Sequence, residues 1–112
     1  MFEILPAISD KATKTILAEV RTWNIQQMSD KELIDLKRMF NEKIRGWITY
    51  YGKYYPTALC RVFRHLNRRL VRWGQRKYKR FKTHQGRTWH WLRRLARSQP
   101  GLFAHWAKGM MP

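Results

Sequence analysis

After Glu42 the chain has no aspartate and no glutamate. Its seven acids, Glu3, Asp10, Glu19, Asp30, Glu32, Asp35 and Glu42, all fall in residues 1–42. Six cations share that front segment, leaving it at −1, while residues 43–112 carry the other 18 cations unopposed. A net charge of +17 opposes compaction by self-repulsion and points to a polyanionic partner. A basic protein that only needed solubility would mix its signs, so the rear reads as a surface kept clear of competing carboxylates.

Other absences narrow the function. A single cysteine, Cys60, excludes an internal disulfide and a cysteine zinc cluster, and fits a reducing, cytoplasmic compartment. His65, His84, His90 and His105 show no metal-ligand spacing with Cys60 or with one another. The glycines are isolated, so no phosphate-binding loop is present. The acids form no paired motif, which argues against two-metal chemistry. No cofactor, no metal and no catalytic residue is expected. Residues 1–20 lack the apolar run of a signal peptide, and no stretch reaches the length of a membrane span. The 112 residues suit one domain, 1–112, with one modest core.

What is there is helical. Ala12, Ile16, Val20 and Trp23 recur at helical spacing and predict a first helix over about 10–23, with Ser9 as N-cap. Ser29 and Glu32 have the spacing of a capping box. From there Leu33, Leu36, Phe40, Ile44, Trp47 and Tyr51 step by three or four, predicting a second helix that ends near Tyr55, before Pro56. A third helix starts at Pro56 or Thr57 and ends between Lys77 and Lys82, with Leu59, Phe63, Leu66, Leu70 and Trp73 as its apolar stripe. Residues 83–87 read as a loop, and a fourth helix covers about Thr88 to Ser98. The tail is expected to dock Leu102, Phe103 and Trp106 in one further turn. The fold class is all-α, a single-domain bundle of about four helices. Its front (1–42) is near neutral, and its basic part (43–112) is the part expected to meet the polyanion, RNA by the patterning that follows.

The cations are patterned. Arg61, Arg64, Arg68, Arg72, Arg76, Lys79 and Arg80 form a stripe on the third helix, mostly opposite Leu66 and Leu70. Like charges one turn apart repel, and no acid neighbours them in sequence, so a plain solvated face is the weaker reading. Arginine suits phosphate because its planar fork binds bidentately and stacks on bases. The fourth helix repeats the design with His90, Arg93, Arg94 and Arg97 opposite Leu92, Leu95 and Ala96. Lys82 and Arg87 in the connection extend the basic set. Trp89 and Trp91 edge the apolar side. They either stack on unpaired bases or complete a small core.

Residues 44–56, IRGWITYYGKYYP, are dense in aromatics. Periodicity assigns Trp47, Tyr51, Tyr54 and Tyr55 to the core, leaving Tyr50 at its border. Arg45, Gly46, Thr49, Gly52 and Lys53 take the other side. Glycine in a helix interior costs about 1 kcal/mol against alanine. Close approach of a second helix or of a nucleic-acid strand flanked by Arg45 and Lys53 would compensate. Tyr50 joins Trp89 and Trp91 as a base-stacking candidate.

NEKIRGWITYYGKYY (41–55) followed by LNRRLVRWGQRKYKR (66–80) resembles the maturase-specific region of group II intron reverse transcriptases. The matching residues are Asn41, Ile44, Arg45, Gly46, Trp47, Tyr50 and Tyr51, then Arg72 and Trp73. PGLFAHW (100–106) is similar to the tail of bacterial members, and Pro6 and Ser9 stand where the family has a Pro-Ser lead-in. The resemblance implies a helical thumb, domain X, that binds intron RNA and promotes its folding and splicing. In the full-length protein it also implies intron mobility on a DNA target and a polymerase domain upstream. The polymerase's Tyr-Ala-Asp-Asp motif is absent here, so the chain is expected to be an excised piece or a remnant reading frame without polymerase activity. The alternative is a basic helical DNA-binding or architectural module. An anionic-membrane binder is a third reading that the tyrosine-rich core disfavours, so no membrane partner is expected.

Overall fold

The computed structural model describes residues 4–112, with side chains from Asp10 onward. Four long helices are joined by short connections: α1 (Ile4–Trp23), α2 (Leu33–Tyr51), α3 (Pro56–Lys77) and α4 (Gln85–Ser98). A one-turn α5 (Ala104–Ala107) follows. No strand occurs among the described residues. The all-α expectation therefore holds, with the expected tail turn as the fifth helix.

The helix starts shift from their expected places for local reasons. α1 begins at Ile4 and runs through position 9, so Ser9 is not its N-cap. The Ser9 side chain and the Pro6 lead-in lie outside the described side chains. The capping box sits three residues later than Ser29: Glu32 is the N-cap of α2, and the Asp35 carboxylate accepts its amide at 2.9 Å. α4 begins at Gln85 rather than Thr88, so the expected 83–87 loop shrinks to residues 83–84, preceded by a tight helical turn over Lys79–Phe81.

α2 ends at Tyr51, four residues before the expected stop. The Tyr55 amide still reaches the Tyr51 carbonyl at 2.7 Å, but Tyr55 sits at φ −133°, ψ 54°. Pro56 disfavours helix at the residue before it, and the chain must reverse direction here. Tyr54 is consequently pushed outward and is 65% exposed, not a core residue. Tyr51 and Tyr55 are half-buried.

α3 is the axle. Leu59, Phe63, Leu66, Leu70 and Trp73 are all buried, as their spacing requires, with Val62 and Val71 beside them. Asp10 of α1 lies near Arg61, and the loop after α1 lies near Trp73, so α1 runs parallel to α3. Glu32 at the start of α2 meets Lys77 at the end of α3, so α2 runs back along it. Trp23 closes α1 onto α2 by stacking nearly parallel on Phe40 (centroids 4.3 Å apart) and on Trp47 (5.3 Å). The Trp73 indole donates to the Met28 carbonyl at 2.8 Å, pinning that loop to the axle.

Two buried asparagines hold the tail. Asn41 Oδ1 accepts the Ala104 amide at 2.7 Å, supplying a partner for an otherwise orphan donor at the start of α5. Asn67 Oδ1 accepts the Trp106 indole N–H at 2.9 Å and lies 2.8 Å from His105 Nε2. An acceptor at that distance requires the proton of neutral His105 to sit on Nε2. Asn67 Nδ2 donates in turn to the Met110 carbonyl at 3.2 Å. Burial lowers the His105 pKa to about 3, so the ring stays neutral.

Asn67→Ala strands the His105 and Trp106 donors in the core. It is expected to cost about 3 kcal/mol, read from urea denaturation. The depressed His105 pKa sets a pH window. Stability contributed by the neutral ring is complete above about pH 6.5 and is lost as pH falls towards 3, because only the unfolded state takes up the proton. The slope is about 1.4 kcal/mol per pH unit. Denaturation midpoints measured from pH 7 to pH 4 check it, and His105→Gln should flatten the curve.

Candidate nucleic-acid interface

The buried stripe of α3 leaves the opposite side to its arginines. Arg64, Arg68, Arg72 and Arg76 step by four and are exposed, with no ion pair among the described residues. Arg61, first of the predicted stripe, is different: its guanidinium lies 3.2 Å from the Asp10 carboxylate. The front segment thus reaches the basic half in space, which the separation in sequence hid. Glu19 pairs with Lys43 at 3.3 Å and Glu32 with Lys77 at 3.3 Å. The exposed pairs at Arg61 and Lys43 stabilise by about 1 kcal/mol at most and leave most of the positive charge in place, whereas Lys77 is largely buried.

At its C-terminal end the stripe opens into two grooves. One, of about 630 Å³, is lined by Arg72, Arg76, Lys79 and Lys82 with Gln26 and Gln75. The other, of about 810 Å³, is lined by Arg80, Arg87 and Arg94 together with Phe81, His90 and Trp91. Arg80 lies over the Phe81 ring at 4.7 Å and over the Tyr78 ring at 5.3 Å, within cation–π range of both. Arg97 is exposed on the last turn of α4. Arg93 is half-buried and turned away from the set: its Nε donates to the Pro112 carbonyl at 3.2 Å.

The predicted stacking residues separate. Trp91 is half-buried among Tyr78 (5.5 Å) and Phe81 (5.4 Å), with one edge on the second groove. Trp89 is half-buried and packs on the core. Tyr50 is 73% exposed and belongs to a third groove, at the Pro56 end of α3, beside Arg45. Lys53 sits at the same end, 5.7 Å from the Tyr54 ring. α3 has 22 residues, and this groove and the basic grooves lie towards its opposite ends.

Gln26 was invisible to the pattern of charges, because it falls in the near-neutral front. Only folding brings it to the groove of Arg72 and Arg76, and its Oε1 is buried without a partner. His65 adds no charge to the face near neutral pH. Burial, then Arg69, Arg21, Arg68 and Arg72, hold its pKa below the usual value. Arg69 Nε donates to His65 Nε2 at 3.2 Å, which requires the neutral ring.

The family model of the group II intron maturase-specific domain matches residues 13–95. The chain belongs to that family. No curated protein and no solved structure matches it. The match to this maturase-specific domain runs from the middle of α1 into the last turn of α4, and so contains the cations of all three grooves. Asn41 and Trp47 of the resembling motif are buried, whereas Arg45, Gly46 and Tyr50 face outward. The motif therefore combines scaffold and surface. No described helix is long and apolar enough to cross a membrane.

The glycine that admits a close helix contact is Gly74. A Cβ there would lie 3.1 Å from the Trp91 ring and 3.2 Å from Thr88 Cγ2 of α4. Thr88 is itself held by its hydroxyl, which donates to the His84 carbonyl at 2.8 Å. Gly74→Val should destabilise the domain by about 2 kcal/mol through overpacking and displace Trp91. Urea denaturation with tryptophan emission as the probe checks both effects.

Proposed function

We propose that this maturase-specific domain binds group II intron RNA and promotes the folding and splicing of that RNA. The observation that carries the reading is the unneutralised arginine row of α3, which runs from Arg64 to Arg76 into two basic grooves. A row of like charges without counter-ions costs stability in the free protein, and phosphates relieve it. The face would neutralise the backbone through Arg64, Arg68, Arg72, Arg76, Lys79, Arg80, Lys82, Arg87, Arg94 and Arg97. Arg80 against Phe81 and Tyr78, with Trp91 in the same groove, suits unpaired bases, which stack on rings and guanidinium planes.

In this reading the protein is a cofactor and not an enzyme. The RNA carries out transesterification, while the domain offsets phosphate repulsion between RNA helices. Within a full-length reverse transcriptase the same face serves as the thumb beside an upstream polymerase domain, and supports mobility into a DNA target. Arg61 and Arg93 contribute less than the pattern of sequence suggested, because Asp10 and the Pro112 carbonyl already engage them.

Binding should fall steeply with salt, with log K decreasing by about 0.7 per neutralised phosphate on single strands. Replacing Arg64, Arg68 and Arg72 by alanine should reduce that slope by about 2 while leaving helical circular dichroism intact. Titration of a group II intron transcript across a salt series measures it, with duplex DNA at equal salt as competitor. Salt-independent affinity, or preference for the duplex DNA, would overturn the reading.

A further inference from the structure

The groove at the Pro56 end of α3 is built differently from the other two. It encloses about 1080 Å³ and is lined by Glu42, Arg45, Gly46, Thr49, Tyr50 and Tyr54, among others. Glu42, Gly46 and Tyr50 follow at intervals of four, so they form one ridge along α2, each about 6 Å from the next. Gly46 is the floor. A Cβ placed there meets no atom within 4 Å, so nothing inside the molecule requires a glycine. A glycine in a helix interior nevertheless destabilises the helix relative to alanine. The bare backbone is explained by a group that comes from outside.

The walls say what kind of group. Tyr50 is 73% exposed and lines the groove, and its ring meets the Tyr51 ring at a steep angle with centroids 4.8 Å apart. Glu42 makes no ion pair with a described cation, although Arg45 lies one turn away on the same helix. A free carboxylate in so basic a chain repels phosphate but accepts two hydrogen bonds side by side. Arg45 in the wall and Lys53 at the rim supply the positive charge a flanking phosphate needs.

We infer that this groove is a base-reading site for an unpaired guanine of the bound RNA. The base lies over Gly46 and stacks on Tyr50, and its N1–H and N2–H donate to the two oxygens of Glu42. Cytosine and adenine offer one amino group each, and uracil one imino group, so none of them satisfies both oxygens from neighbouring positions. The inference rests on the RNA-binding reading and adds base selectivity to it, in a groove separate from the two basic ones.

Hexaribonucleotides of equal charge test it with the full chain: six uridines, and the same strand with one central guanosine, adenosine or cytidine. Fluorescence anisotropy should show the guanosine strand bound about tenfold tighter than the all-uridine strand. Glu42→Gln should abolish that ratio while leaving the salt slope unchanged. The ratio is the readout, since removing a carboxylate raises affinity for every strand. Tyr50→Ala should weaken all four strands by about tenfold. Gly46→Ala should weaken the guanosine strand with an unchanged or raised thermal midpoint, which excludes misfolding as the cause. Equal binding of all four strands with a normal salt slope overturns the base site alone and leaves the groove to a polypeptide partner. Gly46→Ala binding as tightly as the unaltered chain overturns it too. Loss of salt-dependent binding to every strand instead refutes the RNA reading on which it stands.

Discussion

The buried amide of Asn67 decides how the tail closes. Its oxygen receives two donors, the indole of Trp106 and the imidazole of His105, and its nitrogen reaches the Met110 carbonyl. Three hydrogen bonds from one side chain remove the cost of burying an amide in a core of this size. They also fix the face of α3. Asn67 points inward between Leu66 and Leu70, so Arg64, Arg68 and Arg72 must point outward. Asn41 does the same for α2 by capping α5, which turns Arg45 and Tyr50 outward. Which residues each helix exposes is thus set by polar contacts on its buried side.

The electrostatics are arranged against folding and in favour of a partner. Three of the acids reach back to cations of the basic half, at Arg61, Lys43 and Lys77. Lys77 is the structural one. It bonds Glu32 and the Ser29 carbonyl and lies near the Trp73 and Tyr78 rings, tying the end of α3 to the start of α2. The others are exposed and screened. None of the three lies along the run from Arg64 to Arg76, so the repulsion there persists until an anion arrives.

Much of this was legible in the order of residues. The helices follow from apolar spacing, Pro56 and the acid-free rear, and the buried stripe of α3 agrees with its period residue for residue. Two kinds of feature were not. Helix ends depend on which of several capping groups finds a partner, so Ser29 was displaced by Glu32 and the start of α1 moved from Asp10 to Ile4. Contacts between distant segments carry no local signal either. Asp10 beside Arg61, Gln26 beside Arg72 and His105 beneath Asn67 are separated by some forty residues or more along the chain.

The sequence by itself determined that this is a helical, acid-poor, strongly basic member of the maturase-specific domain family, since period, charge and motif are local properties. Only the tertiary structure decided which cations engage groups of the fold and which stand unpaired among the described residues. It paired Arg61 with Asp10 and Arg93 with the Pro112 carbonyl, put Tyr54 into solvent where α2 had to stop for Pro56, and left Gly46 bare beside Tyr50 and Glu42. The physical reason is that charge and period act along one helix, whereas exposure and pairing depend on what a second helix brings alongside.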